Sequence, residues 1–349
     1  MNPLELFRIR PARPGEMHGK CTVNAHRETT IGEGRVESFE AFVEGPRARG
    51  AFVLRLEMDG EWSIRVADEA MLTVLAVLEG SCSVTTASGV ARAVAGEVVV
   101  VRGPGPYSVS SDPERSADFI IPPDQSCIDV HGNRLVESMQ RGVRTWGTTE
   151  RGRDRFLVGT YADPLEIGRL WVQLLPELLV EATDSSTRAF ADLLAAEAAT
   201  EAPGQAVVLD RLLDALLVAA LRAAGPGIAR QGDPLIDRVI EQLHANPRRT
   251  ISVEAMARSG ALSRAAFSQR FSRRTGLGPG AYQRRLRLAW AADELRATAR
   301  TVAAVGEEAG YGSPASFSSA FKQEYGQSPH GWRTVGSRGA GGGGAAGRA

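Results

Sequence analysis

One helix is written twice in this chain. LSRAAFSQRFSRRTG at 262–276 is echoed by SPASFSSAFKQEYG at 313–326, so that Ser263, Phe267, Ser268, Phe271 and Gly276 recur as Ser313, Phe317, Ser318, Phe321 and Gly326, each pair 50 positions apart. In both copies a serine stands where an N-cap would accept from first-turn amides, two phenylalanines four apart make a buried stripe, and a glycine ends the helix. Ser313-Pro314 adds proline at the first helical position.

The flanking text repeats as well. Asp233-Pro234 caps a helix with Ile236, Val239, Ile240 and Leu243 on one face, and a second helix begins near Ser252 with Val253, Met256 and Ala257 inward, turning at Gly260. Val302, Val305 and Gly306 match the latter three at an offset of 49, so the second turn, AGYG, is one residue longer. Short helix, glycine turn and capped helix define a helix-turn-helix, here predicted twice. Between the copies, Pro279 to about Thr298 reads as one long helix with Tyr282, Leu286, Ala289 and Leu295 on a common stripe. Such a rod would set two major-groove insertions about 34 Å apart on one side of a duplex.

Charge agrees with that reading once the chain is divided. Residues 234–334 carry 15 Lys+Arg against 8 Asp+Glu, a net of +7, whereas residues 1–233 carry 24 against 33, a net of −9. Overall neutrality hides a basic segment joined to an acidic one. With Phe267 and Phe271 inward, the first repeated helix opens Arg264, Ala265, Ser268, Gln269, Ser272 and Arg273 to solvent. Gln269 suits a bidentate pair with adenine and Ser268 either donor or acceptor, while Arg264 and Arg273 suit phosphate or guanine. The second helix opens Ala315, Ser316, Ser318, Ser319 and Lys322, short side chains that suit backbone more than bases.

GYGSPASFSSAFKQEYGQSPHGWR at 310–333 is similar to the Gly-aromatic-x-Ser, Phe-Ser-x-x-Phe-Lys, aromatic-Gly and Ser-Pro-x-x-aromatic-Arg pattern of the AraC/XylS family. Residues 234–334 thus resemble the DNA-binding domain of those bacterial transcription regulators. The resemblance implies a double-stranded DNA partner, a homodimer, activation as the commoner mode and RNA polymerase as a further partner. Two departures stand out: the first turn reads SGALS where the family more often has AGMS, and Gly306 replaces the usual alanine. Either is expected to loosen a helix pair.

From about 36 to 121 the text is strand-like, with β-branched runs such as AFVLRLEM, TVLAVLEG and EVVVV between turn residues that include Gly80, Gly89, Gly96 and Gly103. An antiparallel barrel or sandwich is predicted. VLEGSCSVTT at 77–86 and GEVVVVRGPGPYSV at 96–109 resemble the cupin-like sensor domain attached to many such regulators. Where a metal-binding cupin would often place histidine, this chain has Leu75 and Tyr107, and His18 and His26 lack a third ligand nearby. No metal or cofactor is therefore expected. Trp62, Leu75, Tyr107 and Phe119 are candidate walls of an effector pocket, with Glu79 and Arg102 as its polar positions.

Amphipathic helices follow: Ile167, Leu170, Trp171, Leu174, Leu175, Leu178 and Leu179 recur at steps of three and four, as do Leu209, Leu212, Leu213, Leu216, Leu217, Ala220 and Leu221, with a shorter helix near Phe190 to Ala199. They cover the barrel, pair with a second subunit, or both. The expected class is α+β multidomain: a cupin-like antiparallel barrel at 1–165, a helical dimerisation segment at 166–222, a linker at 223–233, an all-α double helix-turn-helix domain at 234–334 and a disordered tail at 335–349. Cys21, Cys82 and Cys127 form no CxxC pair, which suits a reducing cytoplasm, and no apolar run reaches the ~18 residues that span a bilayer. No GxSxG, P-loop or HExxH motif supports catalysis, and the GPGP at 103–106 reads as a barrel turn. The expectation is an effector-responsive regulator; a metal-dependent cupin enzyme with a basic appendage and a ligand-free dimeric regulator are the rivals.

Overall fold

The computed structural model describes residues 52–161, 166–231 and 233–339. His18, Cys21, His26 and residues 340–349 lie outside them.

The β-rich half contains β1 (Phe52–Met58), β2 (Ser63–Val66), β3 (Leu72–Glu79), β4 (Ser81–Thr86), β5 (Gly89–Val94), β6 (Glu97–Arg102), β7 (Tyr107–Ser110), β8 (Phe119–Ile121), β9 (Ile128–Asp129), β10 (Gln140–Gly142), β11 (Thr145–Gly147), β12 (Asp154–Tyr161) and β13 (Leu178–Ala182). One sheet runs β10-β11-β1-β12-β3-β6-β13 and the other β5-β4-β7-β2-β8-β9. Pairing is antiparallel except for β1 with β11 and β2 with β8, which are parallel. Two packed sheets answer the predicted antiparallel barrel or sandwich, with these two parallel pairs as the departure from it.

The larger sheet is buried on both faces. Val74, Ala76, Val98 and Val100 point to the helices, whereas Leu75, Val77, Val99 and Val101 point to the other sheet. This is why EVVVV and TVLAVLE are unbroken apolar runs rather than alternating ones.

The helices are α1 (Val136–Met139), α2 (Glu166–Val172), α3 (Ser185–Ala198), α4 (Gln205–Gln231), α5 (Pro234–Ala245), α6 (Val253–Ser259), α7 (Arg264–Thr275), α8 (Pro279–Ala297), α9 (Val302–Glu308), α10 (Pro314–Tyr325) and α11 (Pro329–Gly339). α3 and α4 cover the larger sheet with Leu194, Leu209, Leu213, Leu216 and Leu217. The leucine stripe from 167 to 179 is not one helix. Pro176 has no amide hydrogen to continue it, and Leu178 and Leu179 instead pair with Val101 and Val100 as part of β13. The expected linker at 223–233 is also mostly helical, because α4 continues to Gln231. Likewise α11 continues to Gly339, into the expected tail. Among the described residues no helix is long and apolar enough to cross a membrane.

Four caps build the two helix-turn-helix units in the same way. Ser252, Ser263, Thr301 and Ser313 accept from the backbone amides of Ala255, Ala266, Ala304 and Ser316 at 3.2–3.3 Å. Gly276 and Gly326 end α7 and α10 at φ 73° and 71°, in the left-handed conformation glycine adopts freely.

α8 is shared between the units. Tyr282, Leu286 and Ala289 enter the first core with Ile236, Phe267 and Phe271, and Leu288, Ala291, Ala292 and Leu295 enter the second with Val305, Phe317 and Phe321. Leu295 therefore belongs to a different stripe from the one its spacing suggested.

Gly306 tightens its unit rather than loosening it, since a Cβ there would stand 2.8 Å from Cγ and Cδ1 of Phe317. In the first turn, Ala261 takes φ 50° where the second copy has Gly310 at φ 81°. A left-handed alanine is strained, so Ala261→Gly should raise stability by about 0.5–1 kcal/mol. A urea midpoint that moves up at unchanged slope would bear this out, and an unmoved or lower midpoint would refute it.

Candidate nucleic-acid interface

α7 is held from behind and open in front. Phe267 and Phe271 are fully buried, and Arg270 donates Nε and Nη2 to the two carboxylate oxygens of Asp233 at 2.6 and 2.7 Å. That guanidinium, more than any other group, lowers the Asp233 carboxyl below its ordinary value. One turn on, Arg274 donates Nε to Asp237 Oδ1 at 2.7 Å and Nη1 to the Leu174 carbonyl at 3.1 Å. Both arginines are thereby committed to holding α7 in place.

The candidate reading face lies opposite them. Arg264, Ala265, Gln269 and Arg273 are exposed, and Ser268 and Ser272 half-buried. Arg264 Nη1 pairs with Glu254 Oε1 of α6 at 2.8 Å, a solvated contact of small strength. On α10, Ala315, Ser316, Ser319 and Lys322 are exposed and Ser318 half-buried. The Ser316 hydroxyl donates to the Ser313 carbonyl at 2.8 Å, which leaves it chiefly an acceptor.

The candidate pocket residues are only partly brought together. Trp62, Leu75 and Tyr107 share the apolar core between the sheets, with Phe119 packed against its edge. Trp62 Nε1 donates to the buried Asp154 at 3.2 Å, and its ring lies 5.4 Å from that of Phe156. Glu79 and Arg102 stand at opposite ends of β3: Arg102 pairs in register with Leu72, while Glu79 receives Arg155 Nη1 at 2.6 Å. These six residues are core and rim, whereas a cleft of about 610 Å3 opens elsewhere, lined by Met71, Pro104, Arg169, Arg285, Tyr325 and Trp332.

Spacing gave no warning that α2 docks on the first helix-turn-helix unit. Leu170 and Leu174 are buried in that unit's core. The Trp171 ring lies 4.6 Å from that of His244, whose Nε2 is 2.7 Å from the Tyr282 hydroxyl. The Glu166 amide donates to Asp293 Oδ1 of α8 at 2.9 Å. Burial pushes the His244 imidazole down to about 3, so it is neutral. Leu174 in the acidic half, two residues ahead of Pro176, was the available signal.

Comparison with known proteins follows the same division. A family model described as cupin matches residues 38–224, and a helix-turn-helix domain model matches residues 256–334. A Streptomyces lividans protein described as an AraC-like transcription regulator is 25% identical over 303 residues, 82% of this chain and 94% of that one. The transcriptional regulator AlkR of Acinetobacter baylyi is 26% identical over 298 residues, 80% of this chain and 93% of that one. The DNA-binding domain of AdpA, solved with a target DNA, is 27% identical over 32% of this chain and all of that one, with a TM-score of 0.30.

Proposed function

Since this chain belongs to the AraC/XylS family of DNA-binding transcription regulators and carries a cupin domain ahead of its helix-turn-helix domain, we propose that it reads an operator with α7 and α10 in successive major grooves and that the cupin domain governs that reading. The shared helix α8 carries the proposal, because a rod with one face in each core fixes the two units relative to one another. Gln269 and Ser268 read bases; Arg264 and Arg273 hold phosphate or guanine; α10 holds backbone through Ser316, Ser318, Ser319 and Lys322.

The cupin domain acts by linkage. An effector that binds one arrangement of the two domains better than another shifts DNA affinity by its differential affinity. Because Trp62, Leu75 and Tyr107 are packed in the core, the cleft between Met71 and Pro104 of one domain and Arg285, Tyr325 and Trp332 of the other suits such an effector better. The outer face of α3 and α4 exposes Leu193, Val207 and Val208, which favours a homodimer. The proposed output is activation through RNA polymerase in the cytoplasm, without catalysis.

Selection from random duplexes with the full chain tests the reading. Recovered sites should carry two elements about 10 base pairs apart, and inserting about 5 base pairs should reduce affinity to that of a single element by turning the other to the far side. Indifference to that insertion would defeat the two-groove geometry.

A further inference from the structure

Building on the DNA reading above, we infer that the midline of the helix-turn-helix domain is a second, sequence-blind contact: Arg249, Arg284 and Arg287 form a saddle that holds the phosphodiester backbone between the two grooves entered by α7 and α10.

Two loops from different units meet there over α8. The first, 246–250, joins α5 to α6 and is held by Gln283 Nε2, which donates to the Arg249 carbonyl at 3.2 Å. The second is the turn ahead of α10. Arg287 bridges them: its Nη1 donates to Thr250 Oγ1 at 2.5 Å, and its guanidinium carbon stands 6.0 Å from the centre of the Tyr311 ring. Gly310 closes the contact, since a Cβ there would lie 3.6 Å from Arg287 Nη1 and 3.9 Å from Thr250 Oγ1. Arg284, one turn earlier on α8, is near enough to act electrostatically on the Tyr311 phenol together with Arg287. The saddle therefore adjoins the N-terminal ends of both α6, capped by Ser252, and α10, capped by Ser313.

No salt bridge among the described residues neutralises the charges there. Arg249 and Arg284 are exposed, and no carboxylate among the described residues pairs with either. Arg287 Nε is buried without an acceptor. Neighbouring arginines differ: Arg248 pairs with Glu308 at 3.2 Å, and Arg300 with Glu294 and Glu308. Two insertions on one side of a duplex leave a minor groove facing the protein midline, flanked by backbone that offers charge but little sequence information. Cations with unmet donors at that midline match it.

The test uses the full chain with two duplexes of about 40 base pairs, one recovered by selection and one of mixed sequence, titrated across salt. For Arg249→Ala with Arg284→Ala, the log–log salt slope should become shallower by about 2, and affinity at moderate salt should fall about 10- to 100-fold on both duplexes with base preference unchanged. The charge control Arg92→Ala, on β5, should match wild type, and an unchanged thermal midpoint would show that the double variant folds. A wild-type slope in the double variant, or a loss confined to the selected duplex, would overturn the saddle. Wild-type protein that binds neither duplex would defeat the DNA reading as a whole, a different result from an unaltered double variant.

Discussion

Replacing both Leu170 and Leu174 with alanine should destabilise the first helix-turn-helix unit by about 5 kcal/mol while leaving the second nearly as stable as before. Both leucines come from the acidic half of the chain, yet they are 3% and 7% exposed within a core otherwise built from α5, α6, α7 and α8. Among the described residues, the second core, around Leu288, Phe317, Phe321 and Trp332, contains none from that half. Each truncation removes apolar contacts and leaves a cavity, and the two share neighbours, so their sum is only approximate. Hydrogen exchange across a urea series would read the asymmetry: amides of α5 to α7 should lose protection before those of α9 to α11. Equal loss in both units would contradict it. The same interface should respond to acid. His244, neutral in the fold with its affinity for a proton pushed down to about 3, regains an ordinary value of about 6.5 when unfolded. Its contribution to stability is thus fully present above pH ~6.5 and is lost progressively as pH falls toward ~3, because the unfolded chain then binds the extra proton.

This asymmetry is not encoded in any local spacing of the chain. The caps at Asp233, Ser263 and Ser313, the phenylalanine pairs and the stop glycines were legible because each is a local rule with a fixed offset. Thr301 was equally available, 49 positions after Ser252, and its hydroxyl does cap α9. The two stripes of α8 were not separable by periodicity. A helix buried on two sides has little polar face to orient it, so Tyr282 and Leu295 looked like neighbours although they serve different cores. The β13 strand was hidden for a related reason: Leu178 and Leu179 continue a helical spacing, and only the missing amide of Pro176 breaks it. The docking of Trp171 on His244 and the meeting of Thr250 with Arg287 join residues 73 and 37 positions apart. Such contacts are set by tertiary packing, on which spacing is silent.

Gln269→Ala should relax preference at one base pair by about 1–3 kcal/mol, a discrimination loss of about 5- to 150-fold, without altering the salt slope. Position 269 is exposed on α7 between Phe267 and Phe271, both fully buried, and next to Arg270, which is clamped by Asp233. The arm that would carry the amide to a base edge therefore springs from a fixed backbone. The matching position 50 residues later is Ser319, whose hydroxyl reaches less far and acts through a single oxygen, where an amide presents a donor and an acceptor side by side on two atoms. Base discrimination should accordingly concentrate in the half-site met by α7, and Ser319→Ala should alter the selected sequence less than Gln269→Ala does. Arg273→Ala provides the contrast: loss of a phosphate contact should weaken all duplexes alike and make the salt slope shallower by about 1. Parallel selections with the three variants separate these effects. A Gln269→Ala variant that recovers the wild-type sequence with wild-type stringency would remove α7 as the reader, even if overall affinity fell.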